Sequence, residues 1–244
     1  MRQLGRVDGG TYGRAFLLLA RNPTLMLGPF LAAIASAVLL LVFSVPQFGG
    51  NGVLGAINGG IVGLIVQILD GFGLGLALIG ADTALRRGRA AFDDMWDQAR
   101  RRAGDLFIAA LGFNFVIWIA QLVGGFIPFG SLALSLIALF FFIYTLPAAA
   151  IGGIPGGAAL QVSLERAQRN LLPTALVTVV YVVAYFLLPS YGVNLAASVL
   201  QIAPMLPIDP VVVLSSAVIK AIGAGYLAIV LAKAYNDASY GRRY

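Results

Sequence analysis

Three long stretches of this chain carry no charged side chain: between Arg21 and Asp70, between Asp105 and Glu165, and between Arg169 and Asp209. A helix needs about 20 residues to cross a bilayer. A charge at mid-bilayer costs roughly 2.5–3.5 kcal/mol on insertion scales. Uncharged runs of this length therefore mark membrane spans. The middle run has room for two spans and a turn, and Gly124-Gly125-Phe126-Ile127-Pro128-Phe129-Gly130 at its centre supplies the turn chemistry. Composition agrees. Of 244 residues, 60% are hydrophobic and 11% charged, against about 25% charged in a soluble domain. The mean hydropathy is +0.92. So few charges cannot cover a water-exposed surface, and so many apolar residues exclude disorder.

The pattern predicts an all-α integral membrane protein with six transmembrane helices, over about 22–45, 60–84, 105–126, 129–152, 171–189 and 210–235. The runs are continuously apolar rather than alternating, which argues against a transmembrane β-barrel. The first run follows Arg2, Arg6, Arg14 and Arg21 and ends in no clear small-residue cleavage site, unlike a signal peptide. With six spans, 15 of the 16 basic residues fall on one side. They are those four arginines, the cluster Arg86 to Arg102, Arg166 and Arg169, and Lys233, Arg242 and Arg243. The opposite connections carry no Lys or Arg. By the positive-inside rule both termini are expected to be cytoplasmic, in the cytoplasmic (inner) membrane of a bacterium. The net charge of +6 then reflects topology and attraction to anionic lipid headgroups. No nucleic-acid partner is expected, since no recognition motif accompanies the charge.

The chain reads as one membrane domain over 1–244, with three possible repeat units over 11–85, 90–152 and 157–236. Each unit opens on a short amphipathic stretch: Thr11 to Leu27, Phe92 to Ile108, and Gly157 to Leu176. The anchors are Ala20-Arg21, Ala99-Arg100 and Ala167-Gln168, and a transmembrane hairpin follows each. The short stretches are expected to be in-plane helices on the cytoplasmic side. In the middle one, Phe92, Trp96, Ala99 and Ala103 share a helical face. Asp97 and Arg101 are spaced to pair on another. The aromatic Phe92 and Trp96, flanked by Arg100 and Arg101, suit an interfacial helix that anchors at the membrane surface or docks a cytoplasmic partner.

A Gly-Arg-rich connection with an aspartate-and-Trp helix (Gly88 to Arg102), a central Ile127-Pro128-Phe129-Gly130 and an Ala-Leu-x-x-Ser-x-x-x-Ala-x-x-Asn segment (Ala159 to Asn170) follow one another between the span pairs. In this order the chain resembles uncharacterised six-helix bacterial membrane-domain families. It is similar to the membrane portion attached to some glycerophosphodiester phosphodiesterases. The resemblance implies the six-helix fold over most of the chain. It brings no catalytic residues, and no soluble phosphodiesterase domain is present to carry that activity.

The chain has no cysteine and no histidine. That excludes disulfides, thiol chemistry, iron–sulfur clusters and the usual metal and haem ligands. No cofactor and no metal site are expected. Asp70 and Lys220 are the charges placed inside spans, a functional-site pattern by default. Each lies about 15 Å from the same side at 1.5 Å per residue, so the two can meet. The pair either locks the second span to the sixth or forms a proton or ion relay. Asp82 is spaced to pair with Arg86 near the basic side. Asn114 and Gln121 are seven residues apart on the third span, placed to line a polar cavity or to pack. Residues 46–59 read as a glycine-rich connection, and Val193 to Ala203 as a re-entrant or surface helix too short to span. No acid, base and nucleophile come together, so no catalytic site is expected and the chain reads as a non-enzyme. The expected function is an accessory or scaffold subunit of a larger membrane complex, with other membrane subunits as partners. The alternative is a small-solute or lipid transporter that uses the intramembrane Asp70/Lys220 pair.

Overall fold

The computed structural model of the chain describes residues 9–43, 53–190 and 210–240. Every regular element among them is helical. α1 (Gly9–Arg21) leads through a 3-10 turn, Pro23–Met26, to α2 (Leu27–Phe43). α3 is Val53–Arg87, α4 Phe92–Arg101 and α5 Ala103–Gly124. α6 (Gly130–Phe142), α7 (Thr145–Ala150) and α8 (Gly156–Arg169) follow. α9 (Leu171–Tyr181) continues into a π-helical segment, Val182–Leu187, and α10 is Pro210–Tyr240. Six stretches are long and apolar enough to cross a membrane: Pro23–Leu40, Gly60–Arg87, Ala103–Gly124, Gly130–Ala150, Leu171–Ser190 and Val213–Ala238. They coincide with the six predicted spans. One connection is shorter than expected, because Val53 to Gly59 already belongs to α3. Glycine weakens a helix but does not end one, and no proline follows Pro46 until Pro128. The stretch Val193 to Ala203 lies outside the described residues.

Successive spans reverse direction, so Arg21, Arg86 to Arg102, Arg166, Arg169 and Lys233 gather at one end of the bundle, here the basic end. There each odd-numbered span follows a short helix across a single joint residue, directly into α5 and α9 and by way of the 3-10 turn Pro23–Met26 into α2. The joints are Asn22, Arg102 and Asn170, with φ/ψ of −131/66°, −108/14° and −132/54°. Each joint N–H donates to the carbonyl three residues back, on Leu19, Ala99 and Ala167. Asn22 and Asn170 also donate their side-chain amides to the carbonyls four residues back, at 3.0 and 3.1 Å. Leu19, Ala99 and Ala167 are buried, and so are Ala15, Met95 and Ser163 one turn earlier.

This geometry shifts one sequence expectation and adds a buried residue that the sequence reading did not name. In the first short helix Leu19, not the exposed Ala20, occupies the place of Ala99 and Ala167. In α4 the buried stripe is Met95 and Ala99, while Trp96 is 44% exposed. Met95 fits because α3 carries Gly80 opposite, where a Cβ would stand 2.6 Å from the Met95 sulfur. Trp96 instead stacks on Phe92 and meets the edge of Phe72, both at 6.3 Å between centroids. Among the described residues no ion pair joins Asp97 to Arg101. Both are exposed, where such a pair gains only tenths of a kcal/mol.

The fourth span is not the continuous helix expected over 129–152. It breaks at Ile143 and Tyr144, between α6 and α7. Pro147 has no N–H to give to Ile143, and its ring crowds that carbonyl. Ser163 of α8 closes the gap. Tyr144 N–H donates to Ser163 Oγ at 3.0 Å, and Ser163 Oγ donates to the Phe141 carbonyl at 2.9 Å. Arg102 caps the end of α7, its Nη1 donating to the Ala150 carbonyl at 2.6 Å, where the helix dipole favours a cation. The core lies in this half of the bundle, with Leu78, Leu106, Tyr144 and Leu227 fully buried. α2 and α3 cross at Gly28 and Gly73. A Cβ on Gly73 would stand 2.7 Å from Ala32 Cβ and 3.0 Å from the Gly28 carbonyl, so only glycine permits that approach.

Candidate functional site

Asp70 is the middle residue of α3, as far from any helix end as a side chain there can be. Lys220 lies on α10, which runs in the same direction. The Lys220 ammonium donates to Asp70 Oδ2 at 2.6 Å. The two side chains are 24% and 12% exposed. Pairing lowers the cost of holding either charge at this depth. The two charges that sequence placed inside spans therefore meet.

They meet in a cavity of about 960 Å³. Gln67, Asp70 and Leu74 line it from α3, and Phe113, Asn114, Ile117 and Gln121 from α5. α6 contributes Ser131 to Leu139, the fifth span Tyr181 to Ser190, and α10 Lys220. Asn114 and Gln121 thus share one cavity with the ion pair, as their spacing on α5 allows. Asn114 Nδ2 is engaged with the Ala110 carbonyl one turn back, at 2.9 Å. Ser131 Oγ donates to the Gln121 carbonyl at 3.0 Å and ties α6 to α5. The turn between them closes on Phe129 at φ 60°, a left-handed position that a bulky side chain rarely takes.

The π-helical segment forms the facing wall. In an α-helix, residues one turn apart share a face at i and i+4; i→i+5 bonding widens the turn and brings i+5 alongside. Tyr181, Tyr185 and Phe186 accordingly cluster, with ring centroids 5.3 to 6.0 Å apart. Lys220 Nζ is 5.6 Å from the Tyr185 ring centroid, within reach of a cation–π attraction. Beside it α10 packs Gly223 onto the Ala184 carbonyl. Two residues of the cavity wall, Asp70 and Ser135, each hold a buried atom without a hydrogen-bond partner among the described residues, Asp70 Oδ1 and Ser135 Oγ, and the Tyr185 hydroxyl lies near enough to interact with the Asp70 carboxylate.

Tyr181, Tyr185 and Ser135 were not singled out as cavity residues by sequence reasoning. The signal for the tyrosines is their i, i+4 spacing in an otherwise aliphatic span. Nothing in the sequence marks the π turn. Phe92, Trp96, Arg100 and Arg101 lie on α4 at the basic end and take no part in the cavity. Asp82 does more than expected. It pairs with Arg86 at 2.9 Å and also accepts from Asn236 Nδ2 of α10 at 2.7 Å. Among the described residues no cluster of three carboxylates stands where a metal ion would bind. No family model, no curated protein and no solved structure matches the chain.

Proposed function

We propose that this protein carries a small solute or a lipid, held in the intramembrane cavity against the Asp70–Lys220 pair. The observation that supports this most is the cavity itself. A space of about 960 Å³ with Asp70, Lys220, Asn114 and Gln121 on its wall has the size and the few convergent polar groups of a ligand site. An accessory or scaffold subunit, the other reading of the sequence, has no need of such a space. The carrier sits in a bacterial cytoplasmic membrane with both termini in the cytoplasm, by the arginine bias. α1, α4 and α8 lie in the headgroup plane, with Trp96 and Phe92 turned towards lipid, and open three repeated helix-plus-hairpin units.

The test is gentle-detergent purification of the full chain from native membranes, with mass analysis of everything retained. The expected result is a small molecule or lipid present at about one per chain and lost from Asn114→Leu. A stoichiometric protein partner with no small molecule would instead establish the accessory-subunit reading. Orientation is read separately. The chain has no cysteine, so Arg89→Cys and Phe126→Cys each give one thiol, and a membrane-impermeant reagent should reach them from opposite sides.

A further inference from the structure

We propose, resting on the carrier reading, that the occupant is an uncharged single-chain lipid with a hydroxyl-bearing head, admitted sideways from the bilayer between α6 and the fifth span. The lateral path is seen in residues that belong to two surfaces. Leu132 and Leu136 of α6 line the cavity yet are 64% and 40% exposed. Phe186 and Leu187 of the π segment do the same at 55% and 44%. Exposure of this size on residues that line the cavity marks the wall as open along this seam, and an opening within a membrane span would meet acyl chains. An apolar rim of this kind suits an alkyl chain; a hydrated solute would have to shed its water against it.

The inner wall sets the head. On two wall residues, Asp70 Oδ1 and Ser135 Oγ are buried without a hydrogen-bond partner among the described residues, with the Tyr185 hydroxyl near the Asp70 carboxylate as a further polar group of the same wall. Buried polar atoms are normally satisfied, so a hydroxyl that donates to Asp70 and exchanges a bond with Ser135 completes the site. The charge of the wall is already balanced, because Lys220 is committed to Asp70 at 2.6 Å. An anionic head would face Asp70 and a cationic one Lys220, each with an unmatched charge at low dielectric. Gln67 and Gln121, neutral donors and acceptors, add to an uncharged polar lining.

The test uses the full chain in lipid nanodiscs. Ile117→Cys places one thiol in the cavity wall, at a residue the proposal does not use for recognition. The expected result is labelling by an uncharged lipophilic maleimide, slowed by a monoacylglycerol. Lysophosphatidylglycerol and an alkyltrimethylammonium of equal chain length should need about tenfold higher concentration for the same protection. Adding Ser135→Ala should weaken the monoacylglycerol effect. Equal protection by all three amphiphiles overturns the uncharged head. Labelling only by a charged, water-borne thiosulfonate, with no lipid protection, overturns the lipid class and leaves a solute carrier standing. Labelling by neither reagent means a closed space and overturns both readings. Native mass spectrometry of the unaltered chain with the same three amphiphiles gives the comparison without any substitution, and one bound monoacylglycerol per chain is expected.

Discussion

Towards the basic end, α3 and α10 are tied by Asn236 donating to Asp82 at 2.7 Å, and their neighbours pack so closely that Ala77, Leu78, Leu227 and Ala228 are wholly buried. Towards the other end the same two helices meet through the long Lys220 side chain reaching Asp70, with a cavity of about 960 Å³ around the contact. Polar side chains in the two halves have different tasks. In the packed half Asn22, Arg102 and Ser163 bond to main-chain atoms that breaks and joints leave open. In the cavity half Asp70 and Ser135 keep atoms without a hydrogen-bond partner among the described residues, as Thr145 also does with Oγ1 beside the break of the fourth span. A polar residue that mends the backbone is part of the fold. One on the cavity wall stands where the proposed ligand would meet it.

The comparison breaks most readily in the packed half. Gly73→Leu should destabilise by about 3 kcal/mol or more, because the new side chain meets Ala32 and the Gly28 carbonyl rather than a movable tip. Heating followed by size-exclusion should show early loss of the folded protein's peak. Ser163→Ala should cost about 2 kcal/mol by stranding the Tyr144 N–H and Phe141 carbonyl. Its thermal midpoint should fall while cavity labelling of the surviving fold stays normal. Asp70→Asn should cost roughly 2 kcal/mol, less than the 3–5 of a fully buried pair, since both side chains touch the cavity. The double change Asp70→Asn with Lys220→Met should recover most of that stability and none of the ligand binding. If the double variant still holds its ligand, the pair is a lock and not part of a site. Asn114→Leu should move stability least, within about 1 kcal/mol either way, and yet abolish retention of the small molecule. A variant that keeps the molecule would remove α5 from the site.

Much of this was legible before any coordinates. Charge at membrane depth is so costly that its absence located the spans, and the placement of Asp70 and Lys220 at similar depth from one side anticipated their contact. The seven-residue spacing of Asn114 and Gln121 put them on one face of α5, since two helical turns return close to the same direction. What escaped was backbone irregularity. Pro147 is compatible with a break in the fourth span, but an apolar run with one proline also fits a merely kinked helix, and the pattern predicts the span unbroken over 129–152. The π turn at Val182–Leu187 has no side-chain signature at all, because Val, Ala, Tyr, Phe and Leu suit an α-helix equally. Register within the short helices was ambiguous too. Apolar residues there face both protein and lipid, so hydrophobic pattern did not single out Met95 as the residue that joins Ala99 in the core.

Sequence by itself determined the number of spans, their order and the gathering of arginines at one end, because these follow from the free energy of each segment in a bilayer, one helix at a time. Tertiary structure alone decided which polar groups are satisfied and which open onto a shared space. That depends on how closely helices approach: Gly28 and Gly73 bring α2 and α3 together, and the widened turn before Leu187 clusters Tyr181, Tyr185 and Phe186 with Tyr185 beside Lys220. Insertion energy is a sum over residues in one segment. A cavity is set by the packing of five spans at once, and no single segment encodes it.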